Sequence, residues 1–352
     1  MKVLVVGPSP DRSKGGMAAV ISEIRRDEKL QREFDLDIYE SYIDGGMLCR
    51  AAFSVFAFLK FYFTKRNYDV YHIHAASKGS TYRKGFYVRA AKKWEKKVIL
   101  HIHGAEYLVF YKKLNAQKKK KVVDILKSAD LVIALSEDWR KKFQKLFGIS
   151  NCVSLPNGID TKAFADGMCD LRVHRNEFLF LGRLGERKGA YDLVDAVQIA
   201  AKRNPHIKVF MAGDGEIEKV RNLVHEKKLE KNIDVVGWVG FQEKIELLKR
   251  SATLVLPSYH EGLPMAVLEG MASGKAVIST KAGAIPEVIE EENGILIEAG
   301  DVNALAEALI KCSADADMLN KMSGKNMEKI HTQYSMEIMH TKLISYYNLL
   351  GN

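Results

Sequence analysis

A chain of 352 residues is long for a single hydrophobic core, so two domains are expected. With 47% apolar and 28% charged residues, its composition is that of an ordinary soluble globular protein. The scattered cysteines Cys49, Cys152, Cys169 and Cys312 show no metal or C-x-x-C spacing, and the apolar run Met1–Gly7 is too short for a signal peptide. These features exclude a disulfide framework and predict reduced thiols in a cytoplasmic protein.

Short apolar runs read as strands at Lys2–Val6, Asp35–Tyr39, Val70–Ile73, Val98–His101, Leu131–Ala134, Phe178–Leu181, Lys208–Ala212, Ile233–Val236, Thr253–Leu256, Ala276–Ser279 and Gly294–Ile297. Their continuous Val/Ile/Leu content is that of strands buried on both faces of a parallel sheet. Helical patterns fall between them, as at Ala190–Asn204, Ile217–Lys228, Gln242–Ser251, Pro264–Ser273 and Val302–Ser313, and again at Ser335–Leu349. Strand–helix alternation predicts a doubly wound α/β architecture. The series pauses between Leu155 and Arg175, which places the domain boundary at 167/168. In such sheets ligands bind beyond the carboxyl ends of the strands, so two domains facing each other would set the site in the cleft.

The net charge of +10 is unevenly divided: residues 1–166 carry +13 and the remainder −3. Lysines cluster at Lys92, Lys93, Lys96 and Lys97, at Lys112 and Lys113, and at Lys118 to Lys121. A basic half calls for an anionic partner (nucleic acid, membrane surface or phosphorylated substrate), unless each cluster is only a solvated helix face. The basic residues form no known nucleic-acid motif and the C-terminal half is acidic, so no specific nucleic-acid partner is expected.

Four segments carry candidate chemistry. Ser13-Lys14-Gly15-Gly16 follows the first strand and precedes a helix, where a glycine pair lets a phosphate or sugar approach closely. Tyr71-His-Ile-His74 and His101-Ile-His103 end two strands; H-x-H puts both rings of each on one face, so four histidines could imitate a metal site. No carboxylate recurs at a suitable spacing, and the favoured reading is one functional residue, His103, with the others structural. Gly182-Arg-Leu-Gly-Glu-Arg-Lys-Gly189 places Arg183 and Lys188 on one loop at a strand's end, a fork and a point charge for phosphate.

The most informative segment runs from Pro257 to Gly274. Pro264 suits the first helical position, leaving the amides of Met265, Ala266 and Val267 aimed at an anion. Glu261 precedes that point, and Glu269 lies about 7 Å further along at about 1.5 Å per residue. Carboxylates accept from hydroxyls and amides donate to phosphate, which matches a sugar–diphosphate–ribose ligand.

Together these motifs resemble a family 4 retaining glycosyltransferase, of the bacterial polysaccharide and glycolipid type, with the GT-B fold of two Rossmann-like domains facing each other across a cleft. The resemblance covers nearly the whole chain. It includes Gly15-Gly16, His103-Gly104, Leu155-Pro-Asn-Gly-Ile-Asp160, Gly182-Arg-Leu, Lys188-Gly189, Ala212-Gly-Asp-Gly215, Glu261-Gly-Leu-Pro, Glu269, Gly283, Glu287-Val and Asn293-Gly294. It implies an acceptor-side domain at 1–167, a nucleotide-sugar domain at 168–334, and a final helix, 335–352, that packs back on the first.

By the same resemblance, Arg183, Lys188 and the backbone of Gly262, Leu263, Met265 and Ala266 bind the donor diphosphate, with Gly15 and Gly16 lining it. Glu269 holds the ribose, backbone near Trp238 and Val239 reads the base, and Glu261 and His103 meet the transferring sugar. The implied reaction moves a hexosyl group from a nucleotide-diphosphate sugar, UDP before GDP, to a glycan or lipid-linked acceptor, with no cofactor and no divalent metal. Rival readings are a sugar-nucleotide epimerase or hydrolase on the same fold, and a basic nucleic-acid-binding protein.

Within Leu48–Phe63, the run Ala51–Leu59, followed by Phe61, Tyr62 and Phe63, is unusually aromatic and is bounded by Arg50 and Lys60. It is too short to span a bilayer upright and is expected to be a crossover helix buried before the Val70 strand. The alternative is an interfacial segment helped by a basic helix at Tyr82–Lys97, which would bring a cytoplasmic enzyme to the anionic inner face of the membrane.

Overall fold

The computed structural model describes residues 1–13 and 15–351. Its contacts divide the chain into one unit of Met1–Asn157 with the segment from Glu337 onward, and a second of Gly158–Met336. The division falls ahead of 167/168 because residues just after Asn157 are tied to the second unit. Ile159 bridges to Ser335, and the Phe164 carbonyl accepts from Ser273 Oγ at 3.0 Å.

In the first unit, β1 (Lys2–Pro8), β2 (Asp35–Tyr42), β3 (Val70–Ala75), β4 (Lys97–Ile102), β5 (Leu131–Ala134) and β6 (Cys152–Ser154) form a parallel sheet in the order β2-β1-β3-β4-β5-β6. Val3 to Val6 are fully buried, as two-sided burial requires. β6 was not predicted: it is a three-residue edge strand, with Val153 and Ser154 only half-buried, too short to show a pattern.

Helices α1 (Gly16–Arg26), α2 (Glu28–Glu33), α3 (Met47–Thr64), α4 (Gly79–Lys93), α5 (Tyr107–Lys112), α6 (Ala116–Ser128) and α7 (Glu137–Phe147) connect the strands. Their starts follow local chemistry: Asp27, Asn115 and Ser136 each accept a helical N–H at the N-cap, and Gly148 closes α7 in the left-handed conformation. The basic helix ends at Lys93 rather than Lys97, because Glu95 turns the chain with φ +60° and Lys97 opens β4.

The expectation of a buried α3 is overturned. Only Ala57 and Phe61 are buried along it, whereas Leu48, Phe56 and Phe63 are 85, 63 and 69% exposed. The sheet accepts one stripe of the helix, and a helix apolar all round does not reveal in its sequence which stripe that is.

The second unit has β7 (Glu177–Leu181), β8 (Lys208–Ala212), β9 (Ile233–Gly237), β10 (Thr253–Leu256), β11 (Ala276–Thr280) and β12 (Gly294–Ile297), ordered β12-β11-β10-β7-β8-β9, all parallel. Its helices are α8 (Thr161–Ala165), α9 (Ala190–Ala200), α10 (Ile217–Glu226), α11 (Phe241–Lys249), α12 (Met265–Ala272), α13 (Ile285–Val288), α14 (Val302–Ala314) and α15 (Ala316–Lys329). The strand order reverses between β7 and β10, the position where doubly wound sheets open a crevice for a ligand.

The last helix, α16 (Met336–Gly351), packs on the first unit. The Tyr347 ring meets Phe34 edge-on at 5.2 Å, His340 Nδ1 pairs with Asp27, and Tyr346 Oη donates to the Ser154 carbonyl at 3.1 Å.

Candidate active site

At the reversal point of the second sheet, three loops press backbone on backbone. After β7 the chain makes a short 3-10 turn, Glu186–Lys188, closed by Gly189 at φ +69°. A Cβ on Gly189 would come within 2.1 Å of the Pro257 carbonyl oxygen, so the loops after β7 and β10 meet at a distance only glycine allows. Tyr259 N–H donates to the Arg187 carbonyl at 2.9 Å, and Arg187 Nη1 returns a bond to the His260 carbonyl at 3.0 Å. From the far side, Gly283 (φ +59°) packs against the Glu261 carbonyl, and Ala284 N–H donates to the Gly262 carbonyl at 2.8 Å.

This packing brings Lys188 and Glu261 together in an ion pair whose side chains are 14 and 5% exposed. The sequence reading gave Lys188 to phosphate and Glu261 to sugar without connecting them. Removed from solvent, each charge is balanced by the other.

Beside the pair, α12 begins at Met265 with Pro264 as its N-cap, not its first residue. Val267 N–H is therefore taken by the Pro264 carbonyl at 3.1 Å, which corrects the expectation of three open amides. Among the described residues, Met265 and Ala266 are left with N–H groups free for an anion, at the positive end of the helix dipole. Gly262 and Leu263 are buried beneath them.

Glu269 lies further along α12 and accepts from Lys244 Nζ of α11 at 2.6 Å. Lys244 lies 5.3 Å from the ring centre of Phe164 and 5.9 Å from that of Phe241, which fixes its stem. Sequence reasoning missed Lys244, because no spacing rule links a lone lysine on one crossover helix to a carboxylate on the next. Arg183 is exposed and reaches Asp214 Oδ2 at 3.3 Å; Asp214 sits in the Gly213-Asp-Gly215 turn after β8. Trp238, 56% exposed, and the half-buried Val239 follow β9 at the sheet edge, just ahead of α11.

In the first unit, Gly15 (φ +114°) is the N-cap of α1 and Gly16 its first residue; Lys14 lies outside the described residues. The four histidines form a ladder on one face of β3 and β4, since His74 and His101 are register partners. His72 Nδ1 is hydrogen-bonded to Tyr347 Oη at 2.8 Å and its Nε2 to His101 Nδ1 at 3.2 Å, while His74 Nδ1 is bonded to His103 Nε2 at 2.8 Å. Burial pushes His72 and His103 down to about 3 and drives His74 and His101 well below the usual histidine range, so the ladder is neutral at pH 7.

His72, His74 and His101 are the described residues nearest to a metal-ligand arrangement, with ring nitrogens within 4.8 Å of one another. Both nitrogens of His72 are already engaged, and the His72 and His101 rings lie parallel within 6°. The ladder is better built for hydrogen bonding than for ligation. His103, the rung at the strand tip, keeps Nδ1 without a protein partner among the described residues. Near the ladder, Lys84 is buried and donates to Ser41 Oγ, which in turn donates to the Gly7 carbonyl at 2.8 Å. Burial and the neighbouring Arg83 hold its amine far below the usual lysine range.

Two family models cover most of the chain: "Glycosyltransferase Family 4" matches residues 14–163 and "Glycosyl transferases group 1" matches residues 170–329. The chain belongs to glycosyltransferase family 4. It is 26% identical over 231 residues to the putative colanic acid biosynthesis glycosyltransferase WcaL of Escherichia coli K12, across 63% of this chain and 57% of that relative. It is 28% identical over 290 residues to an E. coli UDP-Gal:alpha-D-GlcNAc-diphosphoundecaprenol alpha-1,3-galactosyltransferase, across 76% of this chain and 71% of the relative. Among solved structures, the Anabaena protein HepE in complex with UDP superposes with a TM-score of 0.78 at 16% identity, over 99% of this family 4 chain and 100% of its own. That likeness establishes the GT-B fold of two Rossmann-like units.

Proposed function

We propose that this glycosyltransferase moves a hexosyl group, with retention of anomeric configuration, from a UDP-sugar to a glycan on a lipid carrier in bacterial cell-surface polysaccharide synthesis. The observation that carries the donor half is the Lys188–Glu261 pair at the strand-order reversal, next to the two open amides of α12. A diphosphate offers Lys188 a second anionic partner there, and the helix end donates to the same oxygens. Arg183, exposed on the same loop as Lys188, adds a fork for phosphate.

The leaving diphosphate gains charge as the glycosidic bond breaks. Lys188, Arg183 and the α12 amides stabilise that charge from fixed positions, so the reaction proceeds without a divalent ion. Glu269 accepts from the ribose hydroxyls with the oxygen that Lys244 leaves free, and backbone near Trp238 and Val239 meets the base. Glu261 lies beside the transferring sugar and stabilises positive charge at its anomeric carbon. His103, neutral, accepts from or donates to a sugar hydroxyl through Nδ1, and Gly15 and Gly16 leave room for the donor. With Glu261 held by Lys188, the acceptor hydroxyl attacks on the face that the diphosphate leaves, and its proton passes to the departing phosphate oxygen.

The choice of UDP and of a lipid-linked acceptor is supported by the galactosyltransferase relative, whose name specifies both. HepE, crystallised with UDP and glucose, supports UDP as well. The enzyme would work in the cytoplasm at the inner membrane face. Calorimetric titration with UDP and GDP, followed by product NMR in excess EDTA, tests the reading. UDP preference, an acceptor-dependent product of retained configuration and activity without metal are expected. An inverted product would refute the retaining mechanism, and UDP-sugar consumption without an acceptor would favour an epimerase or hydrolase.

A further inference from the structure

Helix α3 has two apolar faces, and the fold uses one. Inward, Phe61 packs its ring 4.7 Å from Tyr87, 5.4 Å from Trp94 and 5.7 Å from Tyr71, and the Ala57 carbonyl accepts from Tyr39 Oη at 2.6 Å. Outward, Leu48, Val55, Phe56, Leu59 and Phe63 recur at helical spacing and stay exposed. Phe86 of α4, also exposed, extends this face, its ring 5.7 Å from Phe58. An apolar patch of this kind on a soluble unit marks an interaction surface.

The surrounding charge selects the partner. Neither α3 nor α4 contains an Asp or Glu, while Arg50, Lys60, Arg89 and Lys93 stand exposed on them. α6, which packs on α4, adds exposed Lys118 and Lys121, while its Lys120 is paired with Asp124 at 2.9 Å. Aromatic and aliphatic side chains on two helices without a carboxylate, flanked by cations in excess, fit the headgroup–acyl boundary of an anionic bilayer. A second copy of the same face would set these cations against one another.

We infer that the outer face of α3, with Phe86 of α4, docks the first unit onto an anionic lipid surface, the helix lying in the membrane plane. α3 is long and apolar enough by composition to cross a bilayer. Crossing would strip Phe61 and Ala57 from the core, so the helix stays on the unit and only its outer stripe enters lipid. The inference complements the lipid-linked acceptor proposed above, but docking requires neither donor nor acceptor.

Vesicle flotation of the full chain at physiological salt tests it. The native protein should float with phosphatidylglycerol–phosphatidylethanolamine vesicles and stay behind with phosphatidylcholine alone. Phe56→Ser/Leu59→Ser/Phe63→Ser and, separately, Arg50→Glu/Lys60→Glu should each cut partitioning about tenfold or more, with UDP affinity unchanged. Failure of the native chain to float with anionic vesicles, or native flotation of either variant, would overturn the inference. Self-association in sedimentation that the triple variant abolishes, without vesicle binding, would assign the face to a second copy and overturn it too. Loss of UDP binding by the native chain would instead refute the donor reading and leave the flotation result standing.

Discussion

At the carboxyl ends of its strands the second unit sets charge against charge, Lys188 with Glu261, Lys244 with Glu269 and Arg183 with Asp214. The first unit, also built on a six-stranded parallel sheet, stacks four imidazoles that burial keeps neutral, with the buried Lys84 near them. A single architecture thus supports two kinds of polar interior. Paired charges can change partners when an anion arrives, whereas a neutral ladder can only position hydrogen bonds. The contrast agrees with the proposal that the donor diphosphate is held by the paired charges of the second unit.

The largest effect should come from breaking the inner ion pair. Lys188→Met leaves Glu261 buried and alone, and should cost about 3 kcal/mol in stability and a hundredfold or more in turnover. Denaturant unfolding and donor turnover measure the two, and Lys188→Met/Glu261→Leu should recover much of the stability but none of the turnover. A single variant as stable as the native chain would erase the contrast between the units.

Acid should then separate them. His72 binds a proton near pH 3 when folded and near 6.5 when unfolded, so its contribution is fully present above about 6.5 and falls as pH drops toward 3. The slope is up to about 1.4 kcal/mol per pH unit for each such histidine. Hydrogen exchange followed between pH 7.5 and 5 should show β3 and β4 losing protection before β7 and β10; the opposite order would place the acid-sensitive groups elsewhere.

Glu269→Gln should weaken UDP about tenfold, by loss of a charge-assisted bond to ribose. The same change should nearly abolish the preference for UDP over its 2′,3′-dideoxy form in calorimetry, a discrimination that a purely structural Glu269 would not affect. The smallest effect is expected from Lys84→Met. Burial already holds its amine far below the usual lysine range, and the change gives up one bond to Ser41, so unfolding should move by no more than about 1 kcal/mol, in contrast with Lys188→Met.

Sequence patterning located these sites unevenly. Strands such as Leu131–Ala134 and Lys208–Ala212 were legible to the residue, because two-sided burial writes itself as a continuous apolar run. β6 was not, being three residues at an edge. Lys188, Glu261 and Glu269 stood out through loop and helix-start chemistry, but Lys244 did not, and Asp214 entered only as part of the Ala212–Gly215 motif, since their pairings depend on how separate crossovers pack. The H-x-H pairs announced that each strand's rings share a face; only the β3–β4 register shows that they join into one ladder. The helix α3 shows the converse limit, where apolar composition was plain and its direction was not.

The bond between His72 and Tyr347 joins residues far apart in the order of synthesis. The first sheet leaves the ribosome early, yet the helix that completes its packing is made only after the whole second unit. At roughly 5–20 residues per second, that interval lasts on the order of ten seconds or more. During it the nascent first unit holds a histidine ladder not yet covered by Tyr347, while the outward face of α3 stands exposed as well. The domain begun first is therefore finished last, and a chaperone or the membrane itself would have its best access to it in that window.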